Sequence, residues 1–187
     1  DVEGPELSAL LGLSLVKSPI YGGGTAQAEF ELLTGLPALS KVNSIEFNVM
    51  RGHPTLSLVR ELRDQRGYTF FATIGSGSKY FNTREAYQSL GLDQVVFLEE
   101  SPEFELDPDD FYIFDGDVFE AHLKRLESQL ESQLESQLEP QPSGERRPIM
   151  SYVLGMYGHK PFNRNLTARP DVVRVEPHHD TVHRIAN

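Results

Sequence analysis

The stretch that decides the fold is Gly22-Gly23-Gly24-Thr25-Ala26-Gln27-Ala28-Glu29-Phe30, which runs on into Glu31-Leu32-Leu33-Thr34-Gly35-Leu36-Pro37. Three glycines let the backbone take φ values other residues avoid and approach a ligand closely. Ala26, Phe30 and Leu33 then fall at i, i+4 and i+7, the spacing of one helix face. Gly35 and Pro37 stand where a C-cap glycine and a following proline end such a helix. Thr25 is thereby expected at a helix N-terminus behind a flexible loop. Backbone N–H groups and the positive end of the helix dipole converge there, a setting that suits an anion such as phosphate. A threonine in this place serves as an N-cap, a phosphate ligand or a nucleophile.

Taken whole, Gly-Gly-Gly-Thr-Ala-x-x-Glu-Phe-x-x-Leu-Thr-Gly-Leu-Pro resembles the nucleophile segment of the lipoteichoic acid synthase and phosphoglycerol transferase family, within the alkaline phosphatase and sulfatase superfamily. The resemblance implies that Thr25 attacks phosphorus and also touches a divalent metal, Mn²⁺ or Mg²⁺. Two further segments carry it. Tyr80-Phe81-Asn82-Thr83-Arg84-Glu85-Ala86-Tyr87-Gln88-Ser89-Leu90-Gly91 is similar to the family's aromatic-Asn-Arg-x-x-x-Tyr-x-x-x-Gly segment, which lines the headgroup pocket. Phe81 takes the aromatic place and Asn82 that of the asparagine. Thr83 stands where the arginine is expected, with Arg84 one residue later. Arg84 remains a candidate because guanidinium matches phosphate oxygens bidentately, although one residue turns a helix face by about 100°. Ile149 to Leu154 followed by Gly155-Met156-Tyr157-Gly158-His159-Lys160-Pro161-Phe162 is similar to the family's strand and x-x-x-x-His-x-Pro-Phe/Tyr loop. It implies that His159 reaches the substrate phosphate, as donor to a phosphoryl oxygen or acid for a leaving alkoxide.

Composition narrows the classes. The 187 residues suffice for one domain with a substantial core. A formal net charge of −11, from 28 acidic and 17 basic residues without a local basic patch, argues against nucleic acid. Cysteine is absent, so there is neither a disulfide framework nor a thiolate metal site. No run of about 18 apolar residues spans a bilayer, and no signal-peptide pattern opens the chain.

Along the chain, Leu7, Leu10, Leu11, Leu13 and Leu15 suggest a short helix running into the glycine loop. Leu39 to Gly52 reads as a loop with a short strand at Ile45–Val49. Pro54 to Arg66 reads as a helix with Leu56, Val59 and Leu62 inward and Gly67 as its stop. Tyr68 to Ile74, Val95 to Leu98 and Ile149 to Leu154 read as buried strands. Gly75-Ser76-Gly77-Ser78-Lys79 invites a phosphate-loop reading but lacks that motif's spacing, which favours a surface turn. The acidic run Glu99, Glu100, Glu103, Glu105, Asp107, Asp109 and Asp110 reads as a solvated loop, without the glycine and spacing of an EF-hand. A helix follows with Asp115 or Asp117 as N-cap and Val118, Phe119, His122, Leu123 and Leu126 inward. The Leu-Glu-Ser-Gln repeat from Leu126 has a period of four, which drifts around a 3.6-residue helix. Residues 126–147 thus form an exposed low-complexity insert and linker. His178, His179, Asp180 and His183 have metal-ligand spacing, but Asp180 is more simply the cap of a terminal helix.

These readings converge on an α/β fold of the alkaline phosphatase type. It has a mainly parallel central sheet flanked by helices, present as an incomplete portion in residues 1–187. The resemblance implies transfer of a phosphoglycerol- or phosphoethanolamine-type headgroup from a phospholipid donor to a glycan or polymer acceptor. The route passes through phospho-Thr25, with Phe81, Asn82, Arg84 and His159 binding substrate. It also implies an extracytoplasmic site, anchored to the membrane by segments outside this chain. Alternatives are hydrolysis of phosphate or sulfate esters, and a noncatalytic partner-binding module supported by the repeat. The family's metal carboxylate and its metal Asp-His pair are not found in this stretch. The chain alone is therefore expected to be inactive, with exposed sheet edges that invite oligomerisation.

Overall fold

The computed structural model describes residues 24–39, 45–50, 52–92, 94–138, 147–159 and 165–168. The expected N-terminal leucine helix, Gly22 and Gly23, Lys160 to Phe162 and the terminal histidine cluster lie outside them.

Helix α1 spans Thr25–Thr34, α2 Leu58–Arg66, α3 Thr83–Leu90 and α4 Asp115–Leu138; the strands are β1 Thr69–Ile74, β2 Val95–Phe97 and β3 Ile149–Leu154. The sheet order is β2-β1-β3 and both pairings are parallel. Ala72 faces Val95 on one side of β1, and Ile74 faces Leu154 on the other. The chain leaves β1 in one direction through α3 to β2, then crosses back through α4 to β3. The crevice between β1 and β3 is thus the point where the winding reverses, the usual ligand site of an open α/β sheet.

Alternation along the strands builds two cores. Phe70, Ala72 and Ile74 face a layer made by Ala26, Leu33, Phe47, Val59, Ala86, Tyr87 and Leu90. On the other face, Val96 and Val153 meet Leu98, Ile113, Val118 and Ala121. There the buried His122 ring lies 5.0 Å from the Phe71 ring, with Thr73 Oγ1 and Ser151 Oγ 3.1 and 3.0 Å from its two nitrogens. Burial and the neighbouring Arg125 hold this imidazole below its ordinary pKa, so it is the neutral ring that bridges the two hydroxyls.

Local rules explain the helix ends. Gly35 and Gly67 adopt left-handed conformations at φ 71° and 69° and close α1 and α2. Ser57 caps α2: its Oγ accepts from Arg60 N at 3.1 Å and donates to the Leu90 carbonyl at 2.5 Å. Arg60 donates to the Gln88 and Ser89 carbonyls, and Arg63 to that of Gly91, so α2 neutralises the C-terminus of α3.

Several expectations are corrected. Ile45–Val49 is no strand; Glu46–Val49 forms a 3₁₀ turn that drops Phe47 into the core. Leu56 precedes α2 and is exposed. Neither Asp115 nor Asp117 is an N-cap, because both lie inside the first turn of α4 and the Phe114 carbonyl accepts from Val118 N. The Asp115 carboxylate instead accepts from Tyr157 N at 3.1 Å, and a Cβ at Gly155 would collide with it. Phe119 and Leu123 face solvent, leaving Val118 and His122 as the inward residues of that turn. Strand β3 is only half-buried along most of its length. The acidic run is not wholly solvated either. Asp110 is buried and accepts from Tyr157 Oη and Asn165 N.

The repeat continues α4 as one helix to Leu138, and Leu130 and Leu134 on it are exposed. Deletion of Ser128 to Gln137 is expected to leave the thermal unfolding midpoint within about 2 °C, since surface changes cost within about 0.5 kcal/mol. Differential scanning calorimetry of the deletion variant measures this directly.

Candidate active site

At the carboxyl ends of β1 and β3 a cleft of about 260 Å³ opens against the N-terminus of α1. Its described lining includes Gly24, Thr25, Glu29, Ser76, Tyr80, Phe81, Thr83, Tyr112, Met156 and His159. Three of the sequence-predicted residues, Thr25, Phe81 and His159, therefore converge although they come from distant parts of the chain.

Thr25 is the first residue of α1 and is exposed; the N-cap is Gly24, so the capping reading of the threonine is set aside. The Gly24 carbonyl accepts from Ala28 N at 2.9 Å, the first bond of the helix ladder. A helix leaves its first N–H groups without intrahelical partners, and here that end abuts the cleft. His159 follows β3, with its N–H donating to the Met156 carbonyl at 3.0 Å. Its Nδ1 lies 3.4 Å from Tyr112 Oη, and the two rings meet edge to face at 5.7 Å.

The headgroup segment divides. Phe81 and Tyr80 stand half-exposed at the cleft. Phe81 and Asn82 both adopt left-handed backbone conformations, at φ 49° and 57°, which cost roughly 1–2 kcal/mol each in residues with a Cβ. The Asn82 amide holds that conformation by donating to the Phe47 and Met50 carbonyls, each at 3.0 Å. Asn82 is thus an anchor for the aromatic pair rather than part of the cleft wall. Arg84 is also absent from the wall: it pairs with Glu100 and lies over the Phe97 ring at 4.8 Å. Thr83 lines the cleft in its place, because one residue of offset on α3 turns the guanidinium away from α1.

The loop Ser76–Ser78 is closed to phosphate by its own neighbours. Glu100 accepts from Ser78 N at 2.6 Å, and Glu99 from the Gly77 backbone. Those N–H groups already hold carboxylates, which removes the phosphate-loop reading.

Sequence reasoning missed Glu29 as a site element. It sits one turn below Thr25, buried, and its Oε1 accepts from Tyr87 Oη at 2.5 Å and Tyr152 Oη at 2.7 Å. The signal was present as an acid at i+4 from the threonine, on the inward face of a helix. Burial pushes this carboxyl above its ordinary 4.5, against the two phenol donors that lower it. Both phenols are pushed up in turn by burial and by the carboxylate.

The described residues do not make up a metal centre. Among them no group of three or more His, Cys, Asp or Glu side chains converges, and the Glu29 oxygen is shared between two tyrosines. Thr25 brings one neutral hydroxyl, which does not hold a divalent ion by itself.

Comparison with protein-family models and with curated proteins finds no match. Solved structures do match. One is the lipoteichoic acid synthase LtaP from Listeria monocytogenes, with a TM-score of 0.67 and 15% identity over 88% of this chain and 36% of that one. Another is a protein in the alkaline phosphatase superfamily from Vibrio parahaemolyticus, with a TM-score of 0.56 and 15% identity over 86% of this chain and 36% of that one. The fold is alkaline phosphatase-like. This chain spans about a third of the length of either structure, so the likeness concerns the part of the fold described above.

The Glu29 cluster predicts a pH dependence with a definite sign. The folded state holds the carboxyl proton more tightly than the unfolded chain. That stabilisation is complete below the ordinary value of 4.5 and is lost as pH rises through the folded value. Glu29→Gln keeps an acceptor oxygen for both tyrosines and cannot ionise. Its unfolding midpoint is expected above that of the parent near pH 8, with the difference shrinking toward pH 4. Glu29→Ala leaves two phenols unpaired and is expected to cost about 1–3 kcal/mol. Urea unfolding followed by circular dichroism across this pH range tests both.

Proposed function

We propose that this chain carries the nucleophile-bearing part of a phosphotransferase that moves an alcohol-linked phosphoryl headgroup from a lipid donor to an acceptor hydroxyl. The observation that carries the reading is the meeting of Thr25, at the start of α1, with His159, from the loop after β3, in one cleft at the carboxyl ends of parallel strands.

The chemistry follows from those groups. A headgroup phosphodiester lies with its phosphoryl oxygens toward the α1 N-terminus, where N–H groups and the helix dipole offset developing negative charge. Thr25 Oγ bonds to phosphorus and releases its proton to solvent, to which it is exposed, while the ester bond to the lipid alcohol breaks. The His159 imidazole supplies a proton to the leaving alkoxide. In the second half, an acceptor hydroxyl attacks the phospho-threonine and passes its proton to His159, the bond from phosphorus to Thr25 Oγ breaks, and Thr25 takes a proton back from solvent. Tyr80 and Phe81 hold the headgroup beside this axis. Glu29, tied to Tyr87 and Tyr152, fixes the helix that presents the nucleophile.

The Mn²⁺- or Mg²⁺-type ion implied by the resemblance requires ligands besides the described residues, and only Thr25 is proposed here to touch it. The proposal also takes in a phospholipid donor, a glycan or polymer acceptor and an extracytoplasmic location. Among the described residues no helix is long and apolar enough to cross a membrane. Attachment to the membrane through segments outside residues 1–187 is part of the same proposal.

The test is headgroup transfer from a fluorescent phospholipid, measured with protein containing residues 1–187 and whatever flanking sequence its gene encodes. Thr25→Ala is expected to lower the rate by about 10³-fold or more, while Thr25→Ser retains measurable turnover. Stability should move by only a few tenths of a kcal/mol, since alanine is a good helix former. Wild-type turnover in the alanine variant would contradict the proposal. Release of free headgroup phosphate to water, with no acceptor product, would assign hydrolysis instead.

A further inference from the structure

We infer that the headgroup side of this cleft recognises a quaternary ammonium group, so that the preferred substrate class is an alkyl phosphate ester ending in trimethylammonium. The inference rests on the reading of the cleft as a phosphoryl-headgroup site and narrows what the headgroup is.

Three aromatic rings are part of the cleft lining. Tyr80, Phe81 and Tyr112 line the cleft together with the thioether of Met156 and the side chains of Ile45 and Leu154. Tyr112 is buried and braced edge to face by Phe111 at 5.0 Å and by His159 at 5.7 Å. Burial, then the neighbouring Tyr80 and Glu99, push its phenol up. Tyr80 and Phe81, by contrast, are half-exposed. Core packing therefore does not account for their position. A strained backbone held by the Asn82 amide does, and strain of this kind persists where the surroundings enforce it.

Charge narrows the ligand further. No Lys or Arg is among the described lining residues, and the nearby Arg84 is committed to Glu100 and Phe97. A second anionic group on the headgroup would meet no cation among the described lining residues. A glycerol headgroup would draw its hydrogen-bond partners from Ser76 and Thr83 rather than from the rings. A primary ammonium would keep three N–H donors that require acceptors. A trimethylammonium requires none, is weakly hydrated, and is attracted by the negative faces of aromatic rings. Such a ligand joins a phosphate, which suits the helix N-terminus, to a cation, which suits the rings of the lining.

Binding to the chain itself is the test, measured by calorimetry so that it does not depend on turnover. The probes are phosphocholine, the diester glycerophosphocholine, glycerol 1-phosphate, and 3,3-dimethylbutyl phosphate, which has the shape of phosphocholine without its positive charge. Phosphocholine is expected to bind about tenfold more tightly than the neutral isostere and than glycerol 1-phosphate. Tighter binding of the diester would identify a lipid-type source, and tighter binding of the monoester a free phosphocholine; either supports the inference. Phe81→Leu, which keeps an apolar side chain at an exposed position, should reduce the preference over the isostere about threefold or more, and Phe81→Trp should keep it. Equal binding of phosphocholine and the isostere, or a preference untouched by Phe81→Leu, would overturn the inference. Thr25→Ala separates the two claims. It should abolish transfer and leave the preference for the cation in place; transfer retained in this variant, or absent from the parent, with the preference intact would count against the proposed function alone.

Discussion

A single buried carboxylate holds this structure together at its functional end. Glu29 lies on α1, and its acceptor oxygen takes hydrogen bonds from Tyr87 on α3 and Tyr152 on β3. Three elements distant in sequence are thereby fixed to one atom. A carboxylate taken out of water is costly, and the two phenols offset part of that cost without outweighing it. The geometry is consequently demanding: any rotation of α1 breaks two bonds in a dry environment. Thr25 stands one turn above Glu29 on the same helix, so the pair of tyrosines also sets where the threonine points. Tyr87 is in turn packed edge to face on Phe47 at 5.8 Å and stacked on Phe97 at 6.3 Å. Helix α1 is coupled through that ring to the sheet and to the 3₁₀ turn that anchors Asn82.

The same economy of donors explains where an anion can go. Two N–H-rich features border the β1 end of the sheet, the loop Ser76–Ser78 and the start of α1. The first is occupied by Glu99 and Glu100. Its neutralisation by internal carboxylates leaves the helix terminus beside Thr25 as the open positive end of the cleft. In a chain of net charge −11, such a local field matters more than the overall balance, which repels anions at long range.

Much of the fold was legible in the sequence where the signal is local. Strand β3 begins and ends where the apolar run Ile149 to Leu154 does, and Gly35 and Gly67 end their helices as expected. Misreadings cluster where tertiary contacts decide. Ile45 to Val49 has the residues of a strand, yet Phe47 is drawn into the core and the segment tightens into a 3₁₀ turn. Phe119 and Leu123 share the helical period of the core residues but fall outside its arc. Thr25, Phe81 and His159, which the cleft brings together, each stand out in the sequence because each sits in a punctuated motif. The separate fates of Asn82 and Arg84 do not. They depend on partners 35 and 16 residues away, Phe47 and Glu100, which no local pattern identifies. Glu29 lay inside the most informative stretch and still hid its role, because its partners come 58 and 123 residues later.

The most direct measurement is the location of phosphorus during turnover. Protein containing residues 1–187 and its flanking sequence is mixed with a ³²P-labelled headgroup donor, quenched in acid and digested, and the labelled peptide is identified by mass spectrometry. The account predicts label on Thr25, within the peptide that begins in the glycine loop, and its loss when acceptor is added before the quench. Label on another residue, or transfer to acceptor with no covalent label at any time after mixing, would contradict it.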